Sequence, residues 1–203
     1  MTGPSRIAGL ILAGGRSSRF PGGAKENAML LGAPLIAHVI ARANLQVARL
    51  AISRAAPGQE DFGLEIVVDR IADSGPLAGL HAGLVWAAAL TPPATHLATF
   101  ACDMPLAPAD IVRRLIDAAG AAPASVAACG GVLHPTLGVW SVTLAPAAAA
   151  SLVRGARSLH GFADAVGAAI VEFPPEVADA FVNVNTGADL AALAALLAAQ
   201  PAS

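Results

Sequence analysis

Leu10 to Lys25 reads LILAGGRSSRFPGGAK, an apolar run that breaks into a glycine-rich, arginine-bearing loop closed by a lysine. The apolar part reaches back to Ile7, and the run from Ile7 to Leu12 is too short for most helices but able to form a buried parallel strand. Gly14 and Gly15 lack a Cβ, so backbone there can approach a ligand closely and present its N–H groups. Arg16, Arg19 and Lys25 add cationic donors, and successive turn-forming N–H groups make an anion-binding concavity. At about 1.5 to 3 kcal/mol for each charge-assisted hydrogen bond, roughly three or four hold a triphosphate without touching the base. The segment reads as a seat for a nucleotide's phosphates.

Two other phosphate loops do not fit. The Walker pattern needs Gly-Lys followed directly by Ser or Thr, whereas Lys25 follows Ala24 and precedes Glu26. The dinucleotide pattern needs G-x-G-x-x-G opening a helix, and GGRSSRF after Leu12-Ala13 has no third glycine in place, which disfavours a hydride-transfer cofactor. The plainer alternative is a surface turn with solvated arginines.

Composition sets the outer limits. A chain of 203 residues buries about 70% of its unfolded surface and is expected to form one domain, residues 1–203. The mean hydropathy of +0.65 raises the question of a membrane. Ala118 to Val153 contains no Asp, Glu, Lys or Arg, but Pro123, Gly130, Gly131, Pro135 and Pro146 cut it into pieces shorter than the roughly 20 residues a spanning helix needs. The expectation is an alanine-rich protein with no membrane span and no secretory signal, located in the cytoplasm. Cys102 and Cys129 have neither disulfide-framework nor zinc spacing and read as core residues. A net charge of −2 with 4% aromatic residues gives no support to nucleic-acid binding.

The chain alternates strand and helix. After Ile7 to Leu12 come a helix from near Pro34 through Arg42, strands at Arg49 to Ser53 and Glu65 to Val68, and a helix from Leu77 to about Leu90. A strand from His96 to Ala101 and a helix opened by Pro108 follow. Further on, strands are expected up to Cys129, around Leu137 to Val142, at Ala169 to Phe173 and at Phe181 to Val184, with helices from Pro146 to Arg154 and after Thr186. Thr186 and Asp189 stand at capping-box spacing, with Asp in place of Glu. The alternation implies an α/β fold, a Rossmann-like, doubly wound and mostly parallel sheet in three layers.

Ligands in such sheets collect at the carboxyl ends of the strands. Asp103 follows the His96 to Cys102 run directly, in CDMP, where Pro105 forces a sharp exit. A lone carboxylate beside a phosphate loop suits magnesium, which takes one or two carboxylates plus phosphates and water; a turn-capping aspartate is the alternative. Asp69 likewise ends a strand, as a ribose or base acceptor or as a turn former.

LAGGRSSRF with Lys25, PLIAHVIAR, VVDRIADSGPLAG, CDMPLAPADI, His134-Pro135 and FVNVNT together resemble the molybdenum cofactor guanylyltransferases, from about residue 8 to residue 190 and in the family's order. The opening loop alone is shared with the wider nucleotidyltransferases; GPLAG, the HP pair and NVNT are more specific. The resemblance implies a nucleotide-sugar-transferase type of fold and transfer of GMP from GTP to the phosphate of molybdenum-molybdopterin, with pyrophosphate released and Mg2+ as cofactor. It implies that Leu12, Ala13, Gly14 and Gly15 contact the nucleotide. Lys25, Arg19 and Asp103 would be the catalytic groups, with Asp103 holding the metal. Ser53 and Asp69 would lie on the nucleoside side, and Asn183, Asn185 and Thr186 near the pterin, although Asn and Thr before a helix also serve as caps. Ala24, Ser53, Cys129 and Gly187-Ala188 depart from the family's usual Asp, Asn, Asp and Pro-Glu, which touches guanine choice more than reaction type.

The implied chemistry is in-line displacement by an acceptor phosphate already ionised at neutral pH, so neither a protein nucleophile nor a strong base is required; His81 and His134 are therefore not assigned to it. Transient contacts with cofactor maturation proteins or apoenzymes are compatible with this reading. The rivals are transfer from CTP to the same pterin, transfer to a sugar phosphate, a non-catalytic nucleotide sensor or cofactor-delivery adaptor, and last a small α/β oxidoreductase.

Overall fold

In the computed structural model, which describes residues 6–13, 25–56, 58–69 and 75–199, the opening apolar run is a strand, β1 (Ile7–Leu12). The chain then passes a two-stranded hairpin, β2 (Met29–Leu30) and β3 (Ala33–Pro34), into α1 (Leu35–Asn44), β4 (Arg49–Arg54) and β5 (Glu65–Val68). It continues through α2 (Gly75–Ala89), β6 (His96–Ala101), α3 (Ile111–Ala119), β7 (Ala124–Cys129) and β8 (Val132–Ser141). Two helices, α4 (Ala145–Val153) and α5 (Leu159–Ala165), precede β9 (Ala169–Phe173), and α6 (Gly187–Ala199) follows it.

Seven strands form one sheet in the order β5-β4-β1-β6-β8-β7-β9. β8 alone runs against its neighbours; the other pairings are parallel. Because side chains of a strand alternate between faces, β1 feeds two cores. Ile11 enters one with Ile36 and Val39 of α1 and Ile111 and Leu115 of α3, while Ala8 and Leu10 enter the other with α2, α4 and α5. α2 lies very close to the sheet: a Cβ on Gly83 would come 2.5 Å from Leu10 Cδ2, and one on Gly79 2.8 Å from Ser53 Oγ. Apolar burial on both faces, at about 25 cal/mol per Å², accounts for strands that read as continuous apolar runs rather than as alternating ones.

The crossover from β1 through α1 goes to β4 on one side, whereas α2 leads back to β6 on the other. The carboxyl ends of β1 and β6 therefore flank a crevice where crossovers diverge, the usual ligand site of open α/β sheets.

Three elements differ from expectation. Phe181 to Val184 is not a strand: Pro175–Phe181 forms a 3-10 turn and residues 182–185 are irregular. Phe181 and Val184 are the buried residues while Val182 and Asn183 are exposed, a spacing of three that gives no strand face. Phe181 packs on Phe173 and His134, and Val184 sits under α6 with Leu30, Leu35 and Leu193. The helix α5, absent from the sequence reading, is capped by Ser158, whose hydroxyl accepts from the N–H groups of His160 and Gly161. The strand expected from Leu137 starts earlier, at Val132, and takes in His134 and Pro135, where the ladder with β7 shifts register between Val126 and Ala127. A bulge tolerates a proline that a regular ladder would not.

Candidate functional site

At the carboxyl ends of β1 and β6, Leu12 pairs with Ala101, and the ladder's last bond runs from the Cys102 N–H to the Leu12 carbonyl at 3.4 Å. Asp103 follows at once and turns out of the sheet. Its carbonyl accepts from the Val184 N–H at 2.9 Å, which lays residues 183–185 along the same edge. α6 keeps them there through a capping box. The Asp189 carboxylate accepts from the N–H groups of Asn185 and Thr186, both at 2.8 Å, and the Asp189 N–H donates to the Thr186 hydroxyl at 3.2 Å. These bonds, that from Asn185 foremost, hold the Asp189 carboxyl below its ordinary pKa. Thr186 thus caps α6.

Lys25 opens a short 3-10 turn, Lys25–Asn27, and its ammonium lies between two oxygens. It donates to Asp103 Oδ2 at 2.7 Å and to Asn185 Oδ1 at 2.8 Å. The side chains of Lys25 and Asp103 are 14% and 23% exposed, so the pair is partly withdrawn from water without being sealed from it. Two hard oxygens converging on one cation make a site whose donor chemistry fits a divalent ion completed by phosphate oxygens and water. No group of three or more His, Cys, Asp or Glu that could hold a metal by themselves occurs among the described residues.

The remaining sequence candidates fall around this point. Ser53 pairs with Leu12 across β1 and β4 and is 3% exposed, beneath Gly79 of α2. Asp69 directly follows β5, two strands from β1, or about 10 Å; burial raises its carboxyl above the ordinary value, and its N–H donates to the Arg54 carbonyl at 3.0 Å. Asn183 is exposed beside Val184. Gly14, Gly15 and Arg19 lie outside the described residues. Cys102, packed against the core, has its thiol pushed up to about 12, first by burial and then by the charges of Asp103 and Glu26, so it is no nucleophile at neutral pH. His134, its pKa lowered by burial, packs its ring 5.1 Å from that of Phe181.

Two further residues, Arg54 and Glu26, belong to the site. Arg54, the last residue of β4, is 2% exposed, and its Nη1 donates to Glu26 Oε1 at 2.6 Å and to the Ala13 carbonyl at 3.2 Å. Its Nε and Nη2 donate to the Glu60 carbonyl at 3.1 and 2.7 Å. The available signal was a cation ending the apolar run Leu50 to Ser53 and an acid next to Lys25.

Residues 9–167 match the family described as MobA-like NTP transferase domain. A molybdenum cofactor guanylyltransferase of Cereibacter sphaeroides is 42% identical over 193 residues, covering 95% of this chain and 97% of that protein. The chain belongs to the molybdenum cofactor guanylyltransferase family. Another relative of that name, from Rhizobium leguminosarum bv. trifolii, is 39% identical over 93% of this chain and 92% of its own. The fold is shared with the molybdopterin-guanine dinucleotide biosynthesis protein A of Archaeoglobus fulgidus, with a TM-score of 0.74 at 20% identity over 95% of this chain and all of that one. Family membership makes the chain a nucleotidyltransferase, a class that generally uses a divalent metal. No helix among the described residues is long and apolar enough to cross a membrane.

Proposed function

We propose that this enzyme transfers GMP from GTP to the terminal phosphate of molybdenum-molybdopterin, forming the guanine dinucleotide cofactor and releasing pyrophosphate. The observation that carries the reading is the Lys25 ammonium seated between Asp103 and Asn185 at the β1/β6 edge, in a chain whose family relatives carry that activity in their names.

The residues divide the work. Segment 14–24, with Gly14, Gly15 and Arg19, cradles the triphosphate on its N–H groups and guanidinium, and Lys25 moves its charge from Asp103 onto the phosphates as negative charge builds there. Ser53 and Asp69 border the nucleoside on the β4/β5 side, and Asn183 and Asn185 border the acceptor, held in place by α6. The acceptor phosphate arrives ionised and its oxygen attacks the α-phosphorus, so the protein orients the two reactants and need not remove a proton. Asp103 and the Asn185 amide oxygen would hold Mg2+, which when bound neutralises phosphate charge. The free thiols of Cys102 and Cys129 support a reducing compartment, the cytoplasm.

The test is product identification. The purified protein is incubated with molybdopterin, magnesium and GTP, CTP or UTP in turn, and products are resolved by mass. A GMP adduct with pyrophosphate release, formed from GTP in preference, is expected. Nucleotide binding without pyrophosphate would make the protein a sensor or adaptor, and a preferred CMP adduct would overturn the guanine assignment.

A further inference from the structure

Arg54 stands where charge is expensive. It is 2% exposed at the end of β4, and replacing such a buried ion pair by apolar residues of similar volume is often neutral or stabilising. Stability alone therefore gives a weak reason for it. The destinations of its hydrogen bonds give a stronger one. One guanidinium nitrogen, Nη1, reaches the Ala13 carbonyl at 3.2 Å and the Glu26 carboxylate at 2.6 Å, the residues that bracket segment 14–24 on its two sides. Nε and Nη2 fix the same group to the Glu60 carbonyl, and the Phe62 ring lies 5.5 Å from it. The Lys25–Asn27 turn has a second tie to this connection, from the Asn27 amide to Glu60 Oε2 at 3.0 Å. Four hydrogen bonds use four of five guanidinium N–H groups in a rigid planar fork, an arrangement that an ammonium on one flexible stem cannot reproduce.

We propose that Arg54 is a positioning residue: anchored on β4, it grips the chain before and after segment 14–24 and thereby fixes the mouth of the phosphate seat and the root of Lys25. This rests on the reading of that segment as the phosphate seat. The guanidinium contacts neither reactant; it acts through Ala13 and Glu26. Glu26 is its partner in that role, and a carboxylate so deeply set would not tolerate losing the guanidinium alone.

The test compares the parent with Arg54→Lys, with Arg54→Met combined with Glu26→Met, which removes both charges together, and with Lys25→Ala. Melting temperature, GTP affinity by calorimetry with magnesium, and the KM values for GTP and for molybdopterin are measured on each. The paired Met variant is expected to melt near the parent yet bind GTP about 10- to 100-fold more weakly, the loss that goes with about one charge-assisted hydrogen bond to phosphate, with the molybdopterin KM within about twofold. Arg54→Lys is expected to bind GTP weakly as well. GTP affinity within about threefold of the parent in the paired variant, or equal losses for both substrates, would overturn the positioning role. If the parent binds no GTP, or Lys25→Ala keeps both the parent's GTP affinity and its kcat, the phosphate seat itself is misassigned and both readings fall. A paired variant that does not fold would overturn the proposal too, since it would make the ion pair a requirement of the fold.

Discussion

Lys25 is the residue on which two kinds of oxygen meet, the carboxylate of Asp103 and the amide of Asn185, at 2.7 and 2.8 Å. An ammonium held this way keeps its charge close to the crevice without a full water shell, and partial desolvation strengthens its hold on phosphate charge. Lys25→Ala is expected to lower kcat by about two to three orders of magnitude, the scale of removing one donor aimed at developing charge. Single-turnover rates check this, and a kcat within a few-fold of the parent would remove the catalytic role. Asp103 is legible in the sequence because it ends an apolar run just before a proline. Its bond to Lys25 is not, because 78 residues separate them. Arg54 and Glu26 are harder still: an apolar run ahead of Arg54 and a lysine beside Glu26 are the local signals, and only the fold shows that the two charges are buried against each other.

At the scale of elements, α2 and α6 do contrasting work. α2 rests on the sheet through Gly79 and Gly83, one helical turn apart. Gly→Ala in an exposed helix stabilises by about 1 kcal/mol, but at Gly83 the new Cβ would meet Leu10 and Leu97 at 2.5 and 2.8 Å. Overpacking of this kind costs about 1–3 kcal/mol, so Gly83→Ala is expected to lower stability in urea unfolding, a reversal of the propensity sign. α6 depends on its cap. The Asp189 pKa is depressed in the folded state from its ordinary 3.8, so the stability it adds is present above that pH and is lost as the pH falls through the lower folded value. Asp189→Asn is expected to lower the melting temperature at neutral pH, with the gap to the parent closing on acidification below 3.8; a gap independent of pH would dismiss the carboxylate's part. β5, β6 and β9 run between the residues their apolar runs suggested, because neighbouring turn formers bound them. The 181–184 segment misled because Phe181 and Val184 are claimed by two different cores. α5 is not legible in the sequence because at seven residues its pattern of Leu159, Phe162 and Ala163 spans barely two turns.

For the whole molecule, the crevice draws on β1, on the loop after β6 and on the residues ahead of α6, so a ligand bound there braces all three. Binding to the folded state alone at about 100 times the dissociation constant stabilises by about 2.7 kcal/mol. In a protein of this size that raises the melting temperature by about 5–10 °C. GTP with magnesium is expected to give such a shift and a chelator to remove most of it; equal shifts with and without metal would detach Asp103 from metal binding.

The tie between Lys25 and Asn185 spans 160 positions of the chain, and it has a temporal consequence. Strands β5, β4, β1 and β6 all come from the first half of the sequence, so none of the ladders among these four requires the second half of the chain. The cation seat is completed only when α6 docks. On refolding, burial of Trp140 on β8 should run ahead of GTP capture, and any nascent chain that has not yet delivered Asn185 holds a scaffold without a working pocket.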